Sequence, residues 1–451
     1  MLCICNGTVV TPRGLSRRDL WIDGGKIVAP PAPPAAFDRI DAAGKLIFPG
    51  FIDSHTHFEM PVSGTWTADS FASGTAAAIA GGTTVILDFA TQDRGHSLRE
   101  ALEIWHSRAD GHCSCDYGFH MAVSDWNAAA RAELEQMPDA GVTSFKAYMA
   151  YDNLKLPDVQ ISELLSAARE IGYVGVHCEL GDTVKENQAR LLAQGKTGPA
   201  WHPVSRPNAV ESEAIRRFLA LARTAQAPAW VVHLSTREGL AAIRAARQAG
   251  QDVLVETCPQ YLTLTDEVYR APDFAGAKYV CSPPIRSAAD RDCLCAAVRS
   301  GETDILSTDH CSFRFRGQKE LGRGDFTKIP NGLPGVEHRP AVVWSTLLSE
   351  DPAGMCAMLS ENPAKAFGLW PRKGNLEPGA DADVVIWDSG WRGTLTAAGQ
   401  LMACDYSPWE GLPLTGRAER VFLRGTLCAE NGRVLAPKRG IYLHRGLSLR
   451  K

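Results

Sequence analysis

The chain has 451 residues, 45% of them hydrophobic and 22% charged, the composition of a soluble globular protein with material for a large core. Its 47 Lys and Arg against 51 Asp and Glu leave a net charge of −4, which offers no electrostatic footing for nucleic acid or an anionic membrane. The start, Met1-Leu2-Cys3-Ile4-Cys5-Asn6-Gly7, lacks a basic segment and turns polar too early for a signal peptide, and no apolar run approaches the roughly 18 residues of a membrane span. The 13 cysteines are an odd number without zinc-finger spacing. Several, such as Cys178, Cys258 and Cys281, lie in apolar runs and read as reduced, buried thiols of a cytoplasmic protein.

Residues 1–50 alternate short apolar runs (Val9-Val10, Leu20-Trp21-Ile22, Lys26-Ile27-Val28) with turn signals such as Asp23-Gly24-Gly25, the pattern of a small β meander. From about 47 to 373 strand and helix patterns alternate. The candidate strands are Ile47–His55, Thr84–Phe89, Asp116–His120, Ser144–Met149, Val174–His177, Trp230–His233, Val253–Glu256 and Asp304–Asp309. Helical patterns fall at Ser73–Ile79, Leu98–Ala109, Ala128–Met137, Gln160–Glu170, Glu211–Ala225, Thr236–Ala249 and Asp290–Arg299. Short apolar runs separated by helices are what a parallel sheet buried on both faces requires. The last part returns to β runs at Asp383–Trp387, Arg420–Gly425 and Gly432–Leu435. The expected α/β architecture is therefore a (β/α)8 TIM-like barrel over residues 51–373, with a small β-sandwich domain built from residues 1–50 and 374–451.

Five of the candidate strands end on a residue able to bind a metal. Phe51-Ile52-Asp53-Ser54 runs into His55-Thr56-His57, whose two imidazoles, alternate residues on a strand, share one side. Lys146 lies in Ser144-Phe145-Lys146-Ala147-Tyr148, His177 ends Val174-Gly175-Val176, His233 ends Trp230-Val231-Val232, and Asp309 ends Ile305-Leu306-Ser307-Thr308. Singly, each histidine reads as an ordinary strand residue and Asp309 as a helix cap. Gathered at the C-terminal mouth of one barrel, where such folds carry their chemistry, they read as a centre for two divalent metals. Lys146 fits only after a change of state. An ammonium has no lone pair and would repel the ions, whereas a carbamate formed with CO2 gives an anion with two oxygens able to bridge them. Imidazole and carboxylate-like donors suit zinc, with manganese or cobalt as alternatives.

The order His-x-His, Lys, His, His, Asp resembles that of the amidohydrolase superfamily, and more narrowly the dihydropyrimidinase and hydantoinase group of cyclic amidases. The likeness covers nearly the whole chain and extends to Gly82-Thr83-Thr84, Ser205-Arg206-Pro207, Glu256-Thr257-Cys258-Pro259-Gln260-Tyr261-Leu262, Ser282-Pro283-Pro284, Asp309-His310-Cys311 and Pro330-Asn331-Gly332-Leu333-Pro334-Gly335. The resemblance implies that His55, His57 and Asp309 hold the more buried zinc ion and His177 and His233 the other. Lys146 would bridge the two as a carbamate. It further implies hydrolytic opening of a small cyclic amide, a hydantoin or dihydropyrimidine, to an N-carbamoyl amino acid by hydroxide held between the metals. Asp309 would shuttle the proton, Tyr151 would stabilise the oxyanion, and backbone groups at Ser282 and Asn331 would hold the ring's amide and imide edge. A homo-oligomer, tetramer or dimer, is also implied.

Dihydroorotase-like relatives carry an arginine just after His-x-His, where this chain has Phe58-Glu59-Met60-Pro61. A carboxylated ring is therefore disfavoured, and an apolar lid is expected near Pro61–Trp66. An allantoinase-like ureide hydrolase and a non-catalytic scaffold of the same fold are the alternatives. Gly81-Gly82 lacks the spacing of a phosphate loop and reads as a helix-to-strand turn. Ser235 and Cys178 stand in no nucleophile elbow. Trp66, Phe313 and Phe315 are candidates for pocket walls, His310 for a residue supporting the aspartate, and His120 and His202 have no assigned role.

Overall fold

The computed structural model describes residues 1–31, 36–62 and 64–449. Its central sheet consists of β1 (Phe51–Thr56), β2 (Thr83–Thr91), β3 (Asp116–Ala122), β4 (Phe145–Tyr148), β5 (Val174–His177), β6 (Ala229–Val231), β7 (Val253–Thr257) and β8 (Ile305–Leu306). The eight are hydrogen-bonded in chain order, and every ladder is parallel. Ile52, Leu87, Phe89, Trp230, Leu254 and Phe367 fill the interior, each worth roughly 1.5–3 kcal/mol of burial. Five of the helices outside start at side-chain caps. Helix Leu98–Ala109 begins after Ser97, whose hydroxyl accepts from Glu100 N at 3.0 Å while the Glu100 carboxylate accepts from Ser97 N at 2.8 Å. Gly81-Gly82 is the helix-to-strand turn that the spacing suggests, joining helix Phe71–Ala80 to β2.

Among the strands that differ from their sequence patterns, two bear most on the site. The apolar run Ile47–His55 is not one strand but two, divided at Gly50. Leu46–Pro49 pairs with Val384–Trp387 and with Thr8-Val9 in an outer sheet, and Phe51–Thr56 enters the barrel. A Cβ on Gly50 would lie 2.0 Å from Thr84 Oγ1, so only glycine lets the chain cross between layers there. The last strand is also shorter than Asp304–Asp309. Its ladder covers Ile305-Leu306, and the chain then bends until Asp309 adopts φ 52°.

The chain ends form two further sheets that share one core of Ile4, Val9, Ile22, Ile47, Val384 and Phe422. A seven-stranded sheet joins Leu46–Pro49, Thr8–Thr11 and Gly14–Arg17 from the start to four strands from the end, Val384–Thr394, Pro413–Leu423, Thr426–Glu430 and Arg433–Val434. The first residues are not a simple meander, because Leu2–Cys5 pairs in parallel with Asp38–Asp41 in the smaller sheet. Buried Lys373 ties barrel to outer sheet, donating at 2.7 Å to both Asp116 on β3 and Asp383.

Among the described residues no strand ladder joins β8 to β1, and side chains close that seam. Arg339, with no solvent exposure, donates through Nη1 to the carbonyls of Ile52 (2.8 Å) and Leu306 (2.9 Å). Asp53 on β1 accepts from Thr308 N (3.1 Å) and Thr308 Oγ1 (2.7 Å). Replacing Arg339 by Met leaves two carbonyls and the Asp53 carboxylate buried without their cation. Arg339→Met is expected to cost about 3–5 kcal/mol, read as a lowered urea midpoint by circular dichroism. An unchanged midpoint would remove the guanidinium from any account of the seam.

Candidate metal centre and substrate cavity

The parallel register brings the expected ligands to one end of the barrel. Asp309 Oδ1 lies 3.3 Å from His55 Nε2 and 3.2 Å from His57 Nε2, a grouping of the size that holds one metal ion. Lys146 Nζ is 2.8 Å from His55 Nε2, and His177 Nδ1 faces His233 Nε2 at 3.1 Å. Three of the residues at this mouth have left-handed backbone, His233 at φ 38°, Asp309 at 52° and Tyr151 at 68°. Such conformations cost on the order of 1–3 kcal/mol each and persist where surrounding structure enforces them.

Buried carboxylates behind the histidines set their tautomers. His55 Nδ1 donates to Glu256 Oε1 at 2.6 Å, which leaves Nε2 as a bare lone pair toward Lys146 and Asp309. His177 Nε2 donates to Glu179 Oε2 at 2.8 Å, so its Nδ1 lone pair faces His233. Arg206 in turn pairs with Glu179. Histidines held by a carboxylate on one nitrogen and open on the other are the usual arrangement at metals. Burial lowers His55, Lys146 having the next largest effect in the same direction, and burial likewise lowers His177; unprotonated imidazoles are what a cation needs. Burial also lowers Lys146 from the usual amine range and raises Glu256. His177 Nδ1 and His233 Nε2 converge at 3.1 Å, while His57 Nδ1 and His233 Nδ1 are buried without a partner among the described residues; imidazoles gathered in this way with a carboxylate and a buried lysine fit two divalent ions.

Above this floor lies a cavity of about 430 Å³ lined by His57, Lys146, His177, His233 and Asp309, by Tyr151, Ser282 and Asn331, and by Met60, Pro61, Val62, Ile104 and Leu154. His55 sits behind the floor, without exposure. Ser282 Oγ and Asn331 Oδ1 are buried without a partner among the described residues. Pro61 and Val62 pair with Thr65-Trp66 as a short hairpin over the mouth, while Ser63 of the expected lid lies outside the described residues. The three aromatic candidates do not line the cavity. Trp66 is 52% exposed and stacks on Arg108, Phe313 is fully buried, and Phe315 packs in a neighbouring cluster.

The other expectations resolve by contact. His310 Nδ1 accepts from Gly335 N and Val336 N, which puts the proton on Nε2, 3.2 Å from Asp69; it braces the turn after Asp309. His120 hydrogen-bonds Ser54 O, and His202 hydrogen-bonds Cys281 O at 2.8 Å. Ser235 is held by Glu211 and Arg286, and Cys178 is buried. Glu179, Arg206 and Glu256 had no role from sequence. Glu256 closes the apolar run Val253-Leu254-Val255, the same signal that marks Asp309, and Glu179 stands two residues after His177, an expected ligand.

A parallel barrel with imidazoles, a carboxylate and a buried lysine gathered at its mouth defines a metal-dependent hydrolase. The comparisons with known proteins agree: residues 46–428 match the amidohydrolase family, and the chain belongs to that family, whose members depend on divalent metal. It is 44% identical to a D-hydantoinase of Streptomyces coelicolor over 94% of this chain and 93% of that one. To a D-hydantoinase of Ralstonia pickettii it is 43% identical over 98% of both. The crystal structure of a dihydropyrimidinase from Brevibacillus agri superposes with a TM-score of 0.97 at 41% identity, covering 100% of this chain and 99% of the other.

Lys146 distinguishes a metal centre from a hydrogen-bonded core. Lys146→Ala is expected to weaken divalent metal retention about 10–100-fold or more, measured as metal per chain after dialysis against a competing chelator. Full retention would remove Lys146 from the centre.

Proposed function

We propose that the chain opens hydantoin or dihydropyrimidine rings by metal-dependent hydrolysis, releasing N-carbamoyl amino acids. The observation that carries this reading is the convergence of His55 Nε2, His57 Nε2, His177 Nδ1 and His233 Nε2 with Asp309 and Lys146 on one cavity floor. His55, His57 and Asp309 would hold one divalent ion and His177 and His233 the other, zinc being suited to these donors. Lys146 would join the two as a carbamate, and its burial favours the neutral amine that adds CO2. When bound, the ions supply Lewis acidity and lower the pKa of water.

The chain's own groups supply the rest. The Asp309 carboxyl stands 3.3 Å from His55 Nε2 and 3.2 Å from His57 Nε2; ionised beside the bound cations, it would take a proton from the attacking water and return it to the ring nitrogen as the C–N bond breaks. Burial pushes Tyr151 up to about 12, against the lowering effect of Arg206, so the phenol keeps its proton and can donate to the carbonyl oxygen as charge develops there. Backbone groups at Ser282 and Asn331 would take the amide and imide edge, with Met60, Val62 and Leu154 beside the ring substituent. We place the protein in the cytoplasm as a homo-oligomer, dimer or tetramer; free cysteines, most of them buried, support a reducing compartment.

A panel of phenylhydantoin, dihydrouracil, allantoin and dihydroorotate tests the reading. Turnover of the first two is expected; turnover confined to allantoin or dihydroorotate would overturn it. Tyr151→Phe is expected to lower kcat by about 10²–10³ with little change in KM, as for one deleted oxyanion donor. An unaltered kcat would reassign Tyr151 to the cavity wall.

A further inference from the structure

Lys319 opens a short turn, Lys319–Gly322, and its side chain runs inward with no solvent exposure. Nζ donates three hydrogen bonds of 2.7 Å, to the carbonyls of Val280, Pro330 and Gly332. An ammonium has three protons and no lone pair, so its capacity is used completely. Among the described residues it makes no ion pair, and the groups that meet its charge are the three carbonyl oxygens. A buried cation without a counterion is costly, and one placed here needs a reason.

Its position supplies one. Val280 lies two residues before Ser282, and Pro330 and Gly332 flank Asn331. Each loop is held separately on its outer side: His202 Nε2 donates to Cys281 O at 2.8 Å, Tyr261 Oη to Pro283 O at 2.8 Å, and Cys311 N to Leu333 O at 3.0 Å. Among the described residues, the two loops share an apolar cluster through Val280, Cys281, Ile329 and Leu333, and the hydrogen bonds that join them are Gly332 N to Val280 O at 3.0 Å and those of the Lys319 ammonium. Gly332 has φ 149°, and a Cβ there would lie 2.2 Å from Cys311 O, so the second loop sits in close contact with its surroundings.

We propose that Lys319 is a positioning residue for substrate recognition: its three hydrogen bonds fix the spacing between the Ser282 and Asn331 loops, and with it the fit of the ring's amide and imide edge. The proposal rests on the cyclic amidase reading above. Lys319 touches neither ring nor metal; it acts through backbone that does. Burial lowers the ammonium to about 8, and a neutral amine would leave one of the three carbonyls without a donor.

The test uses metal-loaded enzyme and two substrates, 5-phenylhydantoin and its derivative methylated on the amide nitrogen beside C5, which is not cleaved and cannot then offer its N–H to the loops. Lys319→Met is expected to keep wild-type metal content and to lower kcat/KM on 5-phenylhydantoin by about 10–100-fold, chiefly through KM, as for a loosened substrate contact. On the methylated ring, where the edge contact is already lost, the same substitution is expected to cost about threefold or less, since effects acting through one contact are not additive. Equal losses on both rings, or no loss on either, would overturn the proposal. Should Lys319→Met not accumulate as folded, metal-loaded protein, Lys319→Gln, which keeps two N–H donors, is assayed on the same two rings. A loss confined to the unmethylated ring again supports the proposal, and equal losses or none again overturn it. A wild-type enzyme inactive on 5-phenylhydantoin would instead refute the cyclic amidase reading.

Discussion

The seam between β8 and β1 is the constraint on which the rest of the site depends. Seven of the barrel's junctions are backbone ladders, whose register follows from parallel pairing. The eighth has no ladder beyond a single backbone bridge between Thr56 and His310 and is otherwise made by side chains: Arg339 on the carbonyls of Ile52 and Leu306, and Asp53 on Thr308. Freed from a ladder, the chain after Leu306 bends, and His57 N instead donates to His310 O at 2.8 Å. That contact sets Asp309 between His55 and His57. A regular ladder through residue 309 would fix the carboxylate by strand alternation, whereas the left-handed turn aims it across the mouth.

Charge is arranged in layers around that mouth. Around the cavity floor stand His55, His177 and His233, whose imidazoles burial keeps neutral, one lysine that burial pushes toward neutrality, and the Asp309 carboxylate. Behind them stand Glu256 and Glu179, each on the far nitrogen of a histidine. Arg206 offsets Glu179 and holds it well below the usual carboxylate range in spite of its burial. Ionised groups so deep in a protein are tolerated when paired and hydrogen-bonded, and here the pairing also turns each histidine's free nitrogen inward. Opposite the floor, Met60, Pro61 and Val62 form an apolar stretch of the rim. One cavity thus offers charge at its base and an apolar surface at its entrance.

Much of this was legible in the sequence. Each metal-ligating candidate ends or closely follows an apolar run, and a polar residue at that place in a buried strand is costly unless a ligand or a partner group meets it. Seven of the helices were visible from periodicity, whereas Gly181–Ala193 was not among those expected. Less was visible where one run serves two layers: nothing in the apolarity of Ile47–His55 marks the change of sheet, and only the glycine at position 50 hints at it. The aromatic candidates misled because hydrophobicity reports that a side chain prefers burial, not which space it fills. Phe313 is buried away from the cavity, and Trp66 remains exposed against Arg108.

The sequence by itself determined which residues could carry the chemistry and that they stand at strand ends, because strand periodicity and burial are local properties of the chain. Tertiary structure alone decided which partner each of them has. Glu256 meets His55 across 201 positions, and Arg339 reaches Ile52 across 287. Val280 and Pro330 are brought together by Lys319. Hydrogen bonds at such separations leave no periodic trace, since any donor of the right length satisfies a buried carbonyl or imidazole and the fold selects which one arrives.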